Sequence, residues 1–360
     1  MSISSTPPHR PHVSVCLPTC DRPELLAMCI DSCLAQSYDD LEIVIGDDSK
    51  DARTERLIAA RYAHEPRVRY VKNRPPLGQA RNVESLFERA SGDKILLIHD
   101  DDLLATDGVE KLVSLWLRHP QLDVAFGDQY EADHSGAIDL EASAKLNAAF
   151  RRTKDAEGLQ SQPGRTGLIQ MFPNNGWMAN AELVKRIGYR EEYGACCDFV
   201  FGTELCLAAR EVFYLHDYVS VYRKTASSIS HSTRGTAVAA TVSAYAFVKA
   251  LQLPAQLEPS RKLALRRLAP IVVSLHARNS QVRDGFKVAF AHLFAYNYGL
   301  SARLYYHLLT LARAALSAPQ QAVAAAAVAA VAAAPVVAAE PAAVVKELVS
   351  ELVSDHSEPV

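Results

Sequence analysis

The chain has 360 residues, 49% of them hydrophobic, with 38 basic against 41 acidic side chains. That length buries a large core in one big or two medium domains, and a formal net charge of −3 leaves no electrostatic footprint for nucleic acid. Seven cysteines, odd in number and without CxxC spacing, exclude a disulfide frame and a zinc site and read as reduced thiols of a cytoplasmic protein.

Residues 1–11 are polar and proline-rich and read as a flexible N-terminus without an apolar signal region. His12 to Pro18 is a short β-rich run, and Thr19, Cys20, Asp21 and Arg22 follow as a turn. A helix is predicted over Glu24 to Gln36, with Pro23 suited to its first turn. Leu41 to Gly46 is a second strand ending in Asp47, Asp48 and Ser49, followed by a charged helical segment through Arg61. Val68 to Val71 is a third strand, Gln79 to Ala90 a helix, and Ile95 to Ile98 a fourth strand closed by Asp100, Asp101 and Asp102. Strand and helix alternating at this spacing predict parallel pairing in a doubly wound α/β sheet.

The second half is less regular. Asp123 to Gly127 reads as a strand, and the polar stretch onward to about Arg165 reads as a mobile loop. A helix is expected over Ala181 to Ile187, stopped by Gly188. Beyond residue 233 the chain turns helical. Phe286 to Leu316 is apolar and aromatic with interspersed Lys, Arg and His, which suits an interfacial helix, a packing helix or a dimer contact. The tail over 318–360 is rich in Ala and Val, low in complexity, and carries no group for chemistry.

Ligands of open α/β sheets bind beyond the carboxyl ends of the strands. Polar clusters fall at three such ends: Thr19 to Arg22, Asp47 to Ser49, and Asp100 to Asp102. Adjacent carboxylates repel, and a hard divalent cation, Mn²⁺ or Mg²⁺, relieves that repulsion while keeping sites open for phosphate oxygens. The competing reading is a solvated acidic turn ahead of a helix. No GxGxxG and no Walker loop follows the first strand, so a nucleotide here lacks a glycine-rich cradle.

The segments VSVCLPTCDRPELLAMCIDSCLAQSYDDLEIVIGDDSKD and NRPPLGQARNVESLFERASGDKILLIHDDDLL resemble the opening, the A-R-N loop and the metal strand of family 2 glycosyltransferases with the GT-A fold. The resemblance runs over about residues 12–230. It implies a GT-A domain over 12–232, with a nucleotide-sugar half (12–125) and an acceptor half (126–232), ahead of a helical extension over 233–317. The implied activity is inverting transfer of a sugar from a UDP- or dTDP-linked donor, with Mn²⁺ or Mg²⁺. The implied acceptor is a hydroxyl of a glycan or lipid-linked sugar in bacterial surface polysaccharide synthesis, in the cytoplasm or at the inner face of the membrane. A sugar-phosphate nucleotidyltransferase and a non-catalytic nucleotide-sugar-binding protein are the alternatives.

Carried over by position, Thr19 and Arg22 resemble residues of the nucleotide pocket, Asp47 the acid that bonds the base, and Arg81 the basic residue of the A-R-N loop. Asp100 and Asp101 then approach the ribose and diphosphate, and Asp102 is the metal ligand. Asp198 falls at the family's catalytic base, with Cys197 where a first acid is usual and Glu204 or Glu192 as substitutes. An N-cap is the bland role for Asp47 and Asp198. His99 stands where an acid is common, and the late metal-binding His is missing from Tyr222, Arg223, Lys224, Thr225. Arg223, Lys224, His216 and His231 are the candidates to assist the diphosphate.

Overall fold

The structure, a computed structural model, describes residues 10–133, 135–225, 234–293 and 301–316, with the backbone alone over 234–239. Its centre is a sheet whose first four long strands are β1 (Val13–Thr19), β2 (Leu41–Asp47), β3 (Val68–Lys72) and β4 (Lys94–Leu97). These four pair in parallel in the order β3-β2-β1-β4. Alternation along each strand feeds two layers. Val13, Val15, Leu17, Ile43, Ile45 and Leu96 point to one face, and Cys16, Val44, Ile95 and Leu97 to the other.

Helices cover both faces, as the predicted alternation requires. Helix α1 (Pro23–Leu34) buries Leu26, Cys29, Ile30 and Cys33, a single stripe at helical spacing. After α2 (Arg53–Arg61), α3 (Gln79–Arg89) buries Ala80, Val83, Leu86 and Phe87 on the opposite face. It lies close on β2 because Gly46 has no side chain. A Cβ there would stand 2.2 Å from Asn82 Oδ1, and Asn82 Nδ2 donates to Gly46 O at 2.8 Å.

The remaining sheet, for which no pairing was predicted, mixes parallel and antiparallel strands. Between β4 and β6 (Val124–Ala132) runs β9 (Trp177–Asn180), antiparallel to both. β10 (Val212–Arg223) pairs parallel to β6, and β5 (Leu103–Leu104) pairs antiparallel to β10 at the far edge. Two short strands, β7 (Ile138–Asp139) and β8 (Gly158–Leu159), add to β6 and β10. The sheet is therefore mixed. Helices α4 (Gly108–Arg118) and α7 (Ala181–Ile187) flank its later strands, and α8 (Cys197–Ala208) packs Phe201 among Phe87, Trp177 and Tyr189.

The polar stretch expected to be a mobile loop is instead built structure. It holds α5 (Leu140–Ala149) and α6 (Pro163–Leu168). Asn147 on α5 docks on β6 in both directions, accepting from Gln129 N at 3.1 Å and donating to Gln129 O at 2.9 Å. Ser143 Oγ accepts from Glu131 N at 2.8 Å. These polar residues complete a strand edge, which explains a polar composition without mobility.

The C-terminal region is helical: α9 (Arg234–Ala250), α10 (Glu258–Arg278), α11 (Val282–Ala291) and a helix α12 over 302–316. Tyr245, Val248, Leu268, Val272, Val273 and Leu311 form a third apolar cluster that reaches Leu168 on α6 and Phe199 and Leu207 on α8. Arg267 fastens α10 to the same place by donating to Ile169 O at 2.6 Å. The helical extension thus rests on the elements that carry one wall of the cleft described next. Among the described residues no helix is long and apolar enough to cross a membrane.

Candidate active site

A cleft of about 540 Å³ opens where β1, β2 and β4 end. Thr19, Cys20 and Arg22 after β1, Asp48 after β2 and His99 to Asp102 after β4 form one wall. Gln129 of β6, Phe150, Asn174 and Asn175, Tyr222 of β10, and Ala195, Cys196 and Asp198 complete the lining, with Thr241 of α9 beside Cys196.

The acids differ in their surroundings. Asp100 is fully buried and held from the β1 side. Thr19 Oγ1 donates to Oδ2 at 2.7 Å, and the Arg22 guanidinium grips both carboxylate oxygens, through Nε at 3.2 Å and through Nη2. Arg22 Nη1 also donates to Asp101 Oδ2 at 2.8 Å. Burial outweighs these contacts and lifts the Asp100 carboxyl to about 6. Asp102 accepts from Arg223 N at 2.9 Å and Asn175 Nδ2 at 2.8 Å, yet burial, with Asp101 next to it, lifts it further, to about 7.

A buried carboxylate so disfavoured as an anion is one a cation would stabilise. Ligand atoms of His99, Asp101 and Asp102 lie within 4.8 Å of one another, so the residues fit a divalent ion. Asp198 lines the same cleft. It is in the first turn of α8, whose N-cap is Cys196 with no side-chain cap, and its Oδ1 accepts from Tyr189 Oη. The expected alternative, a helix cap, is therefore not its place in the fold. Burial raises its carboxyl above the ordinary range, offset only by the charge of His99.

Thr19, Arg22, Asp100, Asp101, Asp102 and Asp198 thus meet in one cleft, and Asp47 and Arg81 are not brought to it. Asp47 is consumed beneath the wall, accepting from Tyr70 Oη at 2.6 Å, Lys72 Nζ at 3.2 Å and Ser49 N at 2.7 Å. Its neighbour Asp48 lines the cleft and ties down the loop before α3, accepting from Leu77 N at 3.0 Å and Gly78 N at 2.8 Å. Arg81 lies on the exposed side of α3, 3.8 Å from Glu191.

The other candidates stand aside as well. Glu204 pairs with Arg190, and Glu192 lies exposed 3.9 Å from the same arginine. Cys197 is packed in the core with its thiol pushed up to about 12 by burial. Arg223 is buried, its guanidinium donating to the carbonyls of Asp101 and Asp100, so it braces the acids from behind. Lys224 pairs with Glu131 and His216 with Asp128; His231 lies outside the described residues. His99 and Asn175 went unassigned in the sequence. Their signals were present, since His99 directly precedes the aspartates and Asn175 sits in the polar FPNNGW run before β9.

Residues 14–172 match the family model described as Glycosyl transferase family 2. An uncharacterized protein of Mycobacterium tuberculosis is 27% identical over 63% of this chain and 72% of its own length. A chondroitin synthase of Escherichia coli is 29% identical over 38% of this chain, which spans only 20% of that relative. Residues 1–349 of Staphylococcus aureus TarS, solved with UDP-GlcNAc, share the fold at a TM-score of 0.55 and 14% identity, over 86% of this chain and 92% of that one. The mannosyltransferase PcManGT of Pyrobaculum calidifontis, solved with GDP-Man and Mn²⁺, does so at 0.55 and 18% identity, over 86% and 88%.

Proposed function

We propose that the chain, which matches the family 2 glycosyltransferase model over residues 14–172 and shares the GT-A fold of its structural neighbours, transfers the sugar of a nucleotide diphosphate donor with inversion, using Asp198 as general base. The observation that carries this is that Asp198 lines the same cleft as Asp100, Asp101 and Asp102. In an in-line displacement at the anomeric carbon, the acceptor hydroxyl attacks opposite the departing diphosphate. A proton acceptor and an acid-rich, cation-binding wall must therefore face each other across the sugar.

Thr19, Arg22, Asp48, Asp100 and Asp101 are proposed to surround the nucleotide, and Asp101 and Asp102 to hold Mn²⁺ or Mg²⁺. When bound, such an ion neutralises charge on the leaving diphosphate. Asp198 removes the hydroxyl proton, and Tyr189, donating to one carboxylate oxygen, orients it. The raised affinity for a proton makes that carboxylate a stronger base once ionised. UDP-GlcNAc and GDP-Man in the structural neighbours support a nucleotide sugar as donor. We further propose a UDP- or dTDP-linked donor, and a glycan or lipid-linked acceptor in surface polysaccharide synthesis.

Membrane contact for the second kind of acceptor is proposed through α11 and α12. Residues 285–316 contain no acidic side chain, while Phe290, Tyr305, Tyr306 and Leu309 are exposed. Buried Leu304, His307 and Leu311 hold the other face of α12 to the protein. A panel of UDP-, dTDP- and GDP-sugars with Mn²⁺, read by release of nucleotide diphosphate in wild type and Asp198→Asn, tests the activity. Release that continues undiminished in the variant removes Asp198 from the reaction.

A further inference from the structure

The cleft lining divides by charge along the chain. Arg22, Asp48, Asp100, Asp101 and Asp102, all ahead of β5, carry most of its charge. Among the described residues that line it from Gln129 onward, Asp198 alone is charged. Its neighbours there include Phe150, Asn174, Tyr222 and Thr241, which bring aromatic rings, an amide and a hydroxyl. Thr241 comes from outside the α/β core. It lies on α9, and its Oγ1 is 3.9 Å from the Sγ of Cys196, two positions ahead of Asp198. Helix α9 is fitted to this stretch before and after Thr241. A Cβ on Gly194 would stand 3.5 Å from that of Ala240, and Phe247 meets Tyr193 edge to face with centroids 5.5 Å apart. The helical extension therefore builds part of the cleft next to Asp198.

A diphosphate is held by cations, whether side chains or bound metal. The first half of the lining has Arg22 and can hold a divalent ion, whereas the described lining around Asp198 has no basic residue. A phosphate or carboxylate beside the reacting hydroxyl of an acceptor would be set near the Asp198 carboxylate with nothing to offset it. A neutral saccharide meets rings, an amide and a hydroxyl instead, groups that suit a polyol with apolar faces. We propose that the lining around Asp198, completed by Thr241 of the helical extension, is the acceptor subsite and takes an uncharged saccharide. This rests on Asp198 as the base.

Two cysteines report on the two halves. Cys20 is exposed and adjoins Arg22, Cys196 is half-buried beside Thr241, and the other five are buried. Alkylation by iodoacetamide, read peptide by peptide in mass spectrometry, follows both in one sample. UDP with Mn²⁺ at a hundred times its Kd should slow modification of Cys20 by about 10- to 100-fold, and that of Cys196 by less than about twofold. A second measurement uses release of UDP from UDP-sugars with Mn²⁺. p-Nitrophenyl glucoside, galactoside and N-acetylglucosaminide should speed it, and the matching sugar phosphates and uronides should not. Thr241→Trp should raise KM for the glycoside by about tenfold while Kd for UDP stays within about twofold; retained UDP binding shows that the variant is folded.

Equal protection of both thiols by UDP would make the α9 side part of the nucleotide site and overturn the subsite. UDP release that responds to the charged acceptors, or to none of either kind, overturns the substrate class. An unchanged glycoside KM in Thr241→Trp, or an equal loss for UDP, removes α9 from the acceptor's side. Wild-type protein that binds none of the nucleoside diphosphates overturns the donor assignment itself. That failure is distinct, because Cys20 then reacts at one rate throughout.

Discussion

Arg22 and Asp100, seventy-eight positions apart, form a two-pronged ion pair that joins the end of β1 to the end of β4 beneath the cleft floor. Asp100 is wholly buried, and the Arg22 side chain is 19% exposed. A carboxylate in that position is tolerated because the guanidinium and Thr19 meet its oxygens. Asp100 is thereby fixed in the cleft it lines, beside Asp101 and Asp102.

Arg22→Ala should therefore destabilise the fold as well as the site. Removing one partner of a buried pair leaves an uncompensated charge, at a cost of about 3 kcal/mol. Thermal unfolding would show it as a clear drop in midpoint. Double replacement with Asp100→Asn should recover part of the loss, because the stranded charge is gone. A single variant that melts like wild type would mean the pair is open to solvent and contributes little.

The parallel half of the fold was legible because each signal there is local. Val13, Val15 and Leu17 alternate, Pro23 opens α1, and Gly78 precedes α3. The inserted β9 was not, since a four-residue strand within FPNNGWMAN carries no period long enough to read, and pairing direction leaves no mark on a pattern. The site shows the same division. Asp47 and Asp48 are adjacent, and successive side chains of a strand point to opposite faces, so a motif match to the pair could not say which one meets the cleft. The polar residues of α5 looked like loop because their partners, the backbone of β6, are distant in sequence.

Metal dependence should be visible without turnover. Uridine diphosphate at a hundred times its Kd should raise stability by about 2.7 kcal/mol, and only with Mn²⁺ or Mg²⁺ present. Asp102→Asn should keep the fold, since Asn can still accept from Arg223 N, but lose the metal's contribution in the thermal shift. Equal nucleotide binding in EDTA would exclude a metal-bridged diphosphate. A normal metal response in Asp102→Asn would move the ligand role to Asp101.

The exposed face of α12 gives a separate outcome. Tyr305, Tyr306 and Leu309 are each at least half exposed, and Arg303 on the same helix supplies positive charge. Such a face should bind vesicles containing anionic lipid and be released by salt. Flotation with phosphatidylglycerol vesicles should carry wild type upward and leave the triple Ser variant behind. Both proteins should release nucleotide diphosphate from a soluble donor alike, because the face is remote from the cleft residues. Flotation that is equal for both would assign the aromatic face to something other than lipid.

Asp198 makes the sharpest kinetic claim. As the base it works only when ionised, and burial raises its pKa above the ordinary carboxylate range. Activity should therefore climb as pH rises through that raised value, on an acid limb shared with Asp100 and Asp102, whose carboxyls are lifted to about 6 and about 7. Asp198→Asn keeps the shape and the contact with Tyr189 but cannot take a proton. Its transfer rate should fall by about 10²–10⁴-fold, while donor binding persists. The sign for stability is the reverse of the sign for activity. An acid whose folded pKa lies above its unfolded one costs stability as pH rises between the two, so Asp198→Asn should melt no lower than wild type at pH 8. A residue that only shaped the start of α8 would give the opposite pair of results, near-normal transfer with a lowered melting point. Rate and stability measured on the same variant therefore decide between a base and a structural acid.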